Sequence, residues 1–232
     1  TDQGRLLAQP LTRSLDIMAD AVHRLKTQQH DLNLKVHPTF AIRWLIPRLH
    51  KFQTLFPDIQ VRFTTSSINA DFLRENFDVA VTYRGDEVPG VVRQKILVER
   101  LTPVCSPNLL TDGVPLKQPE DLKHHRLLHN SPDQREWRVW AEEIGVTGLS
   151  LERGQVFEID DAALQAATAG LGVALGDRVL IREALVTGRL VEPFEFIRIN
   201  TGSYYLSWPE KNSEKPGLKE FKHWLVKEIE MG

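Results

Sequence analysis

Between Leu32 and Tyr83 the chain switches repeatedly between two hydrophobic periods, and nothing else in the sequence constrains the fold as strongly. LNLKV (32–36) alternates as a strand does, and residues 39–56 carry apolar side chains at helical spacing. IQVRFTT then reads as a strand, 69–76 as a short helix and DVAVTY as a buried strand, followed by extended chain over VVRQKILVERLTPVCS. Strands alternating with helices predict a parallel sheet covered by helices. Pro47 lies inside the 39–56 helix and removes an amide donor, so a kink or break is expected one turn before it.

A second unit of the same kind follows. HRLLHN reads as a strand, DQREWRVWAEEIG as a helix carrying Trp137 and Trp140 on adjoining faces, and LERGQVFEI as a strand. DDAALQAATAGLG reads as a helix closed by glycine, VALGD as a strand, and RVLIREALVTG as a helix ending at Gly188. GRLVEPF and FIRINTGSYYLSWP read as strands, and Pro216 opens a final helix with Leu218, Phe221, Trp224, Leu225 and Ile229 on one face. Two such units in series predict an α/β fold of two subdomains with a central cleft.

The N-terminal stretch is different. Leu11, Leu15, Met18, Val22 and Leu25 form a heptad seam with charged residues on the other faces. About 26 helical residues extend roughly 40 Å. So long a helix with one narrow apolar stripe either packs on its own domain or pairs with a second copy, and dimerisation through residues 1–31 is the expectation.

Composition narrows the function classes. At 232 residues the chain is long enough for two modest domains, and a net charge of −2 leaves no basic footprint for nucleic acid. A single cysteine, Cys105, excludes an intramolecular disulfide and fits a reducing, cytoplasmic compartment. No apolar run reaches bilayer-spanning length, so no membrane partner is expected. The chain begins at Thr1 without a Met and reads as part of something longer.

Catalytic signatures do not emerge. The chain holds no Gly-x-Ser-x-Gly elbow, phosphate-binding glycine loop or His-Glu-x-x-His. His124, His125 and His129 cluster without ligand spacing and read as solvated surface histidines; Cys105 reads as a buried structural thiol. No catalytic residue, cofactor or metal is assigned. The helix starts carry more information, because in α/β sheets ligands bind beyond the carboxyl ends of the strands, where helix N–H groups lack acceptors. Three corners qualify: Thr39 and Phe40 after the first strand, Thr64, Thr65 and Ser66 after the second, and Ile159, Asp160 and Asp161 after GQVFE. Each has two readings, simple capping or ligand contact.

In order, PTFAIRWLIPRLHKFQTLFPDIQVRF, DVAVTYRG, LTPVCSPNLL, PEDLKHHRLLH, AALQAATAGLGVAL, GRLVEPF and SYYLSWPE with LKEFKHWL together resemble the effector-binding region of LysR-type transcriptional regulators. The resemblance covers essentially the whole chain and is strongest to the subgroup of the glycine-cleavage activator and the β-lactamase-inducing regulators. It implies two Rossmann-like subdomains with a central cleft, a type 2 periplasmic-binding-protein-like architecture, preceded by a long linker helix. In this chain that means a linker over 1–31, a first subdomain of 32–105 and 207–232, and a second of 106–206. It also implies a small-molecule effector between the subdomains, homodimers paired through the linker, tetramers in the full-length protein, and DNA contact only through a domain preceding Thr1.

The resemblance further implies a ligand-binding set: Thr39 and Phe40 at the first helix start, Thr65 and Ser66 in the loop after the second strand, Tyr83 and Arg84 at the end of the third, Ile159 and Asp160 on the far wall, and the crossover Tyr204. β-Lactamase-type regulators tend to carry small hydroxyl residues where this chain has Ile159-Asp160-Asp161. An acidic wall facing a positive helix end suits a zwitterion, with its carboxylate at Thr39 and its ammonium at Asp160. The rival classes are a transporter's solute-binding receptor of the same two-lobed form and a cleft enzyme.

Overall fold

The computed structural model describes residues 31–111, 113–194 and 202–231, together with Leu11, Leu15, Ile17 and Met18. Its strands are β1 (Leu32–Val36), β2 (Val61–Thr65), β3 (Val79–Tyr83), β4 (Val91–Val98), β5 (Leu101–Val104), β6 (Leu127–His129), β7 (Gln155–Val156), β8 (Val173–Asp177) and β9 (Ser203–Pro209). They form two sheets, β2-β1-β3-β9-β4 and β5-β8-β6-β7. In the first, β1 runs parallel to β2 and β3, and β9 runs antiparallel to β3 and β4. In the second, β6 runs parallel to β7 and β8, and β5 runs antiparallel to β8. The mixed α/β, two-lobed architecture expected from the sequence is present.

The chain passes between the lobes twice, at Glu99–Arg100 and just before Ser203. The passages touch: Glu99 N–H donates to the Gly202 carbonyl (3.1 Å). Sheet pairing assigns Leu101–Val104 to the second sheet and the whole of Ser203–Pro209 to the first, a few residues from the boundaries drawn from sequence.

The first helix, α1, starts as Pro38–Phe40, passes through a π-helical turn at Ala41–Leu45 and continues as Ile46–Leu55. The disruption expected ahead of Pro47 takes this form: the Ile46 amide reaches back five residues to the Ala41 carbonyl, which accommodates the missing proline donor without ending the helix. Phe40, Trp44 and Phe52 on α1 are fully buried, and they meet Phe221 and Trp224 of the C-terminal helix (α5, Leu218–Met231) in one aromatic core. Trp137 and Trp140 of α2 (Arg135–Ile144) meet edge to face at 5.5 Å in the second lobe. Alanine-rich α3 (Asp160–Thr168) packs closely on β8, and α4 (Arg182–Val186) follows that strand.

Several expectations are corrected. Residues 69–76 are turns rather than a helix. Lys35, buried on β1, draws in the Glu75 carboxylate at 2.8 Å, and Glu75 also accepts the Asp71 amide, so the segment folds around a buried cation. The strand expected over 151–159 shortens to Gln155–Val156, preceded by a 3-10 turn. The helix expected from Arg178 begins at Arg182, because the Asp177 carboxylate accepts the Val179 amide (3.1 Å) and holds a turn there. The GRLVEPF stretch contributes a single bridge, Val191 to Cys105. His129 is not a surface histidine: it is 1% exposed, its Nε2 lies 2.8 Å from the Leu151 carbonyl, and a Cβ at Gly154 would overlap its ring. Cys105 is buried, and burial pushes its thiol up to about 11.

Of the expected linker helix, Leu11, Leu15, Ile17 and Met18 are helical and exposed. The remainder of 1–30, and the part of the FIRINTGSYYLSWP strand before Gly202, lie outside the described residues. No helix among the described residues is long and apolar enough to cross a membrane.

Candidate functional site

Because β1–β3 are parallel, their carboxyl ends lie at one edge of the first sheet, where antiparallel β9 begins with Ser203 and Tyr204. The same logic brings the ends of β6 and β8 to the start of β5. The two edges face each other. They enclose a space of about 10 Å³ bounded by Thr39, Glu99, Asn130, Asp160, Asp177 and Tyr204 among others. That is room for one water at most; the lobes are in contact.

The contact is polar. Thr39 Oγ1 donates to Asp160 Oδ2 across the cleft (3.3 Å), and Asn130 Nδ2 donates to the other Asp160 oxygen. One turn along α1, Arg43 Nε reaches Asp161 Oδ1 at 2.6 Å, with both side chains about nine-tenths buried. This ion pair is a latch between α1 and α3.

Behind the latch lie two more buried carboxylates. Glu99 and Asp177 are buried, and Tyr83 Oη donates to Glu99 Oε2 at 2.6 Å. Asp177 Oδ2 is buried without a hydrogen-bond donor. Burial first, then the Glu99 and Asp160 charges, push the Asp177 carboxyl up to about 7, although the Val179 and Arg100 amides oppose the rise. The same surroundings drive the Tyr204 phenol far above its ordinary value, burial being the main cause. His37 packs against Tyr204 at 5.7 Å, and burial lowers its imidazole more than Asp160 raises it. Among the described residues, no lysine, arginine or histidine lines the enclosed space.

Thr39, Asp160 and Tyr204 therefore meet at one place, and Tyr83 joins them through Glu99. The other residues singled out from sequence lie elsewhere. Phe40 is turned into the first core, stacked on Trp44 at 5.0 Å. Thr65 ends β2 and is exposed, while the Ser66 amide bonds the Val36 carbonyl. Arg84 has a positive φ of 58°, lies over the Tyr83 ring and lines a separate depression beside Asn69 and Asp86. Ile159 is the N-cap of α3, where its carbonyl begins the helix.

Sequence reasoning missed Glu99, Asn130 and Asp177. Asp177 and Asn130 stand at or just past the ends of β8 and β6, so the strand-end rule that found Thr39 reaches them as well. Glu99 had no such signal, since it marks a chain crossing visible only in the fold. Among the described residues, no group of three or more His, Cys, Asp or Glu is arranged to hold a metal ion.

Comparison with known proteins bears directly on this cleft. The LysR substrate binding domain family matches residues 26–230. The glycine cleavage system transcriptional activator of Escherichia coli K12 is 33% identical over 228 residues, 97% of this chain and 74% of the activator. The transcriptional activator AmpR of Rhodobacter capsulatus is also 33% identical, over 97% of this chain and 77% of its own length. The effector domain of AmpR from Pseudomonas aeruginosa superposes with a TM-score of 0.74 at 30% identity, covering 86% of this chain and 95% of that domain. These relatives are transcriptional regulators, which favours the regulatory reading over the transporter receptor. With its two lobes, its polar cleft and this match along nearly its whole length, the chain belongs to the LysR family and constitutes the effector-binding region of a LysR-type transcriptional regulator.

Proposed function

We propose that the cleft senses a small amine-bearing effector of amino-acid type. The observation that carries this reading is the cluster of Glu99, Asp160 and Asp177 around a space that no basic residue lines among the described residues, with one Asp177 oxygen lacking a donor. An ammonium group supplies a positive charge beside these acids and the hydrogen-bond donor that Asp177 Oδ2 lacks, while a carboxylate there would meet like charge. The sequence-based pose is modified accordingly. The ammonium lies among the three carboxylates rather than on Asp160 alone, whose oxygens are taken by Thr39 and Asn130. A carboxylate on the ligand turns to the first-turn amides of α1, which have no intrahelical acceptor.

Entry requires the lobes to part, and the effector then replaces the Thr39–Asp160 contact as the bridge between them. Its differential affinity for the two hinge angles provides the control. In the full-length regulator we propose subunits paired through residues 1–31, tetramers, and DNA read by a domain preceding Thr1, all in the cytoplasm. Subdomain limits near Glu99–Arg100 and Gly202 fit the sheet pairing better than 105 and 207.

Calorimetric titration with a panel of amino acids and small amines tests the reading. Saturable binding by at least one, weakened about tenfold or more by Asp160→Ala or Asp177→Asn, is the expected result. No binding across the panel, or equal binding by both variants, overturns it. Tight, specific DNA binding by this chain alone would overturn the domain assignment.

A further inference from the structure

A second compartment lies beside the hinge. It is a cavity of about 420 Å³, within the range of small-molecule sites, and both lobes build it. Leu97 of β4 and Ile229 of α5 come from the first lobe, and Val179 and Leu185 from the loop and helix after β8. Three arginines also line it: Arg100 at the chain crossing, and Arg178 and Arg182 after β8.

The positive charge there is largely uncompensated. Arg178 bonds Glu192 at 3.2 Å. Arg100 and Arg182 have no carboxylate partner among the described residues, because the nearby acids are engaged elsewhere: Glu183 with Arg189, Glu228 with Lys51 and Glu99 with Tyr83. Arg182 also lies near enough to Arg48 to add to the lowering begun by burial, against Glu228, which raises it. Guanidinium groups beside an apolar floor suit a ligand with a carboxylate head and a hydrocarbon body.

We infer that this cavity is a second ligand site, taking a small amphipathic monocarboxylate. Its hydrocarbon lies on Leu97, Val179, Leu185 and Ile229, and Arg100 and Arg182 hold its carboxylate. The site is separate from the effector cleft but shares a wall with it. Along one loop, Asp177 and Leu180 face the cleft while Arg178 and Val179 face the cavity. A ligand there grips both sides of the hinge, and by linkage its affinity and the effector's are coupled.

The test is calorimetric titration of the 232-residue chain, at low salt, with octanoate and 3-phenylpropionate, and with octylammonium as the charge-reversed probe. The expected result is saturable binding of a carboxylate at one site per chain and none of octylammonium. Arg182→Ala and Arg100→Ala should each weaken binding roughly tenfold, and Arg182→Lys should weaken it less. Asp160→Ala, which alters the cleft, should change carboxylate affinity by less than either arginine-to-alanine variant, so the two sites fail or survive separately. Absence of saturable carboxylate binding at millimolar concentration, equal binding of octylammonium, indifference to both arginine-to-alanine variants, or loss on Asp160→Ala would each overturn the inference.

Discussion

The cleft and the hinge-side cavity are neighbours with opposite character. The cleft is closed to about 10 Å³, acidic and latched. The cavity is about 420 Å³, basic and floored by hydrocarbon. One short loop after β8 divides them, with residues of opposite charge facing opposite ways. Electrostatic identity here is set by the direction in which neighbouring side chains point from a turn. Net charge along the chain, close to zero at −2, conceals both compartments.

Leu180 anchors that loop, and its removal should have the largest effect. It belongs to the second lobe by sequence, yet it is 4% exposed and packs into the first-lobe core. Leu180→Ala should cost about 2–5 kcal/mol of stability in denaturant unfolding. A loss well below 1 kcal/mol would mean that the loop is not a firm partition.

Next comes Asp177. Its carboxyl holds a proton more tightly in the folded chain than in the unfolded one, so the folded state binds more protons between about pH 4 and about pH 7. Stability attributable to this group therefore falls as pH rises through that window and is lowest above it. Asp177→Asn should remove the fall, stabilising the protein above pH 7 by on the order of 1–3 kcal/mol and leaving acid stability little changed. His37 and His129, both lowered chiefly by burial, contribute the opposite slope below their ordinary range. The comparison is thus between variant and wild type in thermal melts across pH. An identical pH profile for the two would show that the cleft carries no stored acid.

A latch that holds the cleft shut should be separable from the cavity. Arg43→Ala leaves the Asp161 carboxylate without its hydrogen-bond partner, and a loss of about 1–3 kcal/mol with a larger mean lobe separation in small-angle scattering is expected. Carboxylate binding at the cavity, which both lobes line, should weaken less than on Arg182→Ala. The smallest effect is expected for Thr39→Val, which deletes one hydrogen bond of 3.3 Å and should cost about 0.5–1.5 kcal/mol in chemical unfolding.

Much of the frame was legible because period and punctuation were unambiguous. LNLKV became β1, DVAVTY became β3 and the face led by Phe221 and Trp224 became the core side of α5. Thr39 and Asp160, picked out by the strand-end argument, and Tyr204, taken from the family resemblance, line one enclosed space, whereas Thr65 and Ser66 do not. What escaped depended on contacts distant in sequence. Lys35 spends the 69–76 segment on an ion pair, His129 is buried by the approach of Gly154, and Phe40 finds Trp44 and Tyr204 before any ligand. Glu99 and Arg100 acquire their roles only because the chain changes lobes there.

Buried Cys105 has a practical consequence. As the one sulfhydryl in the chain, shielded from solvent and resistant to ionisation, it should stay silent toward maleimide and nitroxide reagents under native conditions. Leu171→Cys on the second lobe and Leu73→Cys on the first, both at exposed positions away from cleft and cavity, then give a spin-label ruler across the hinge. Distances from such a pair, recorded with each small molecule in turn, would distinguish ligands that part the lobes from those that brace them.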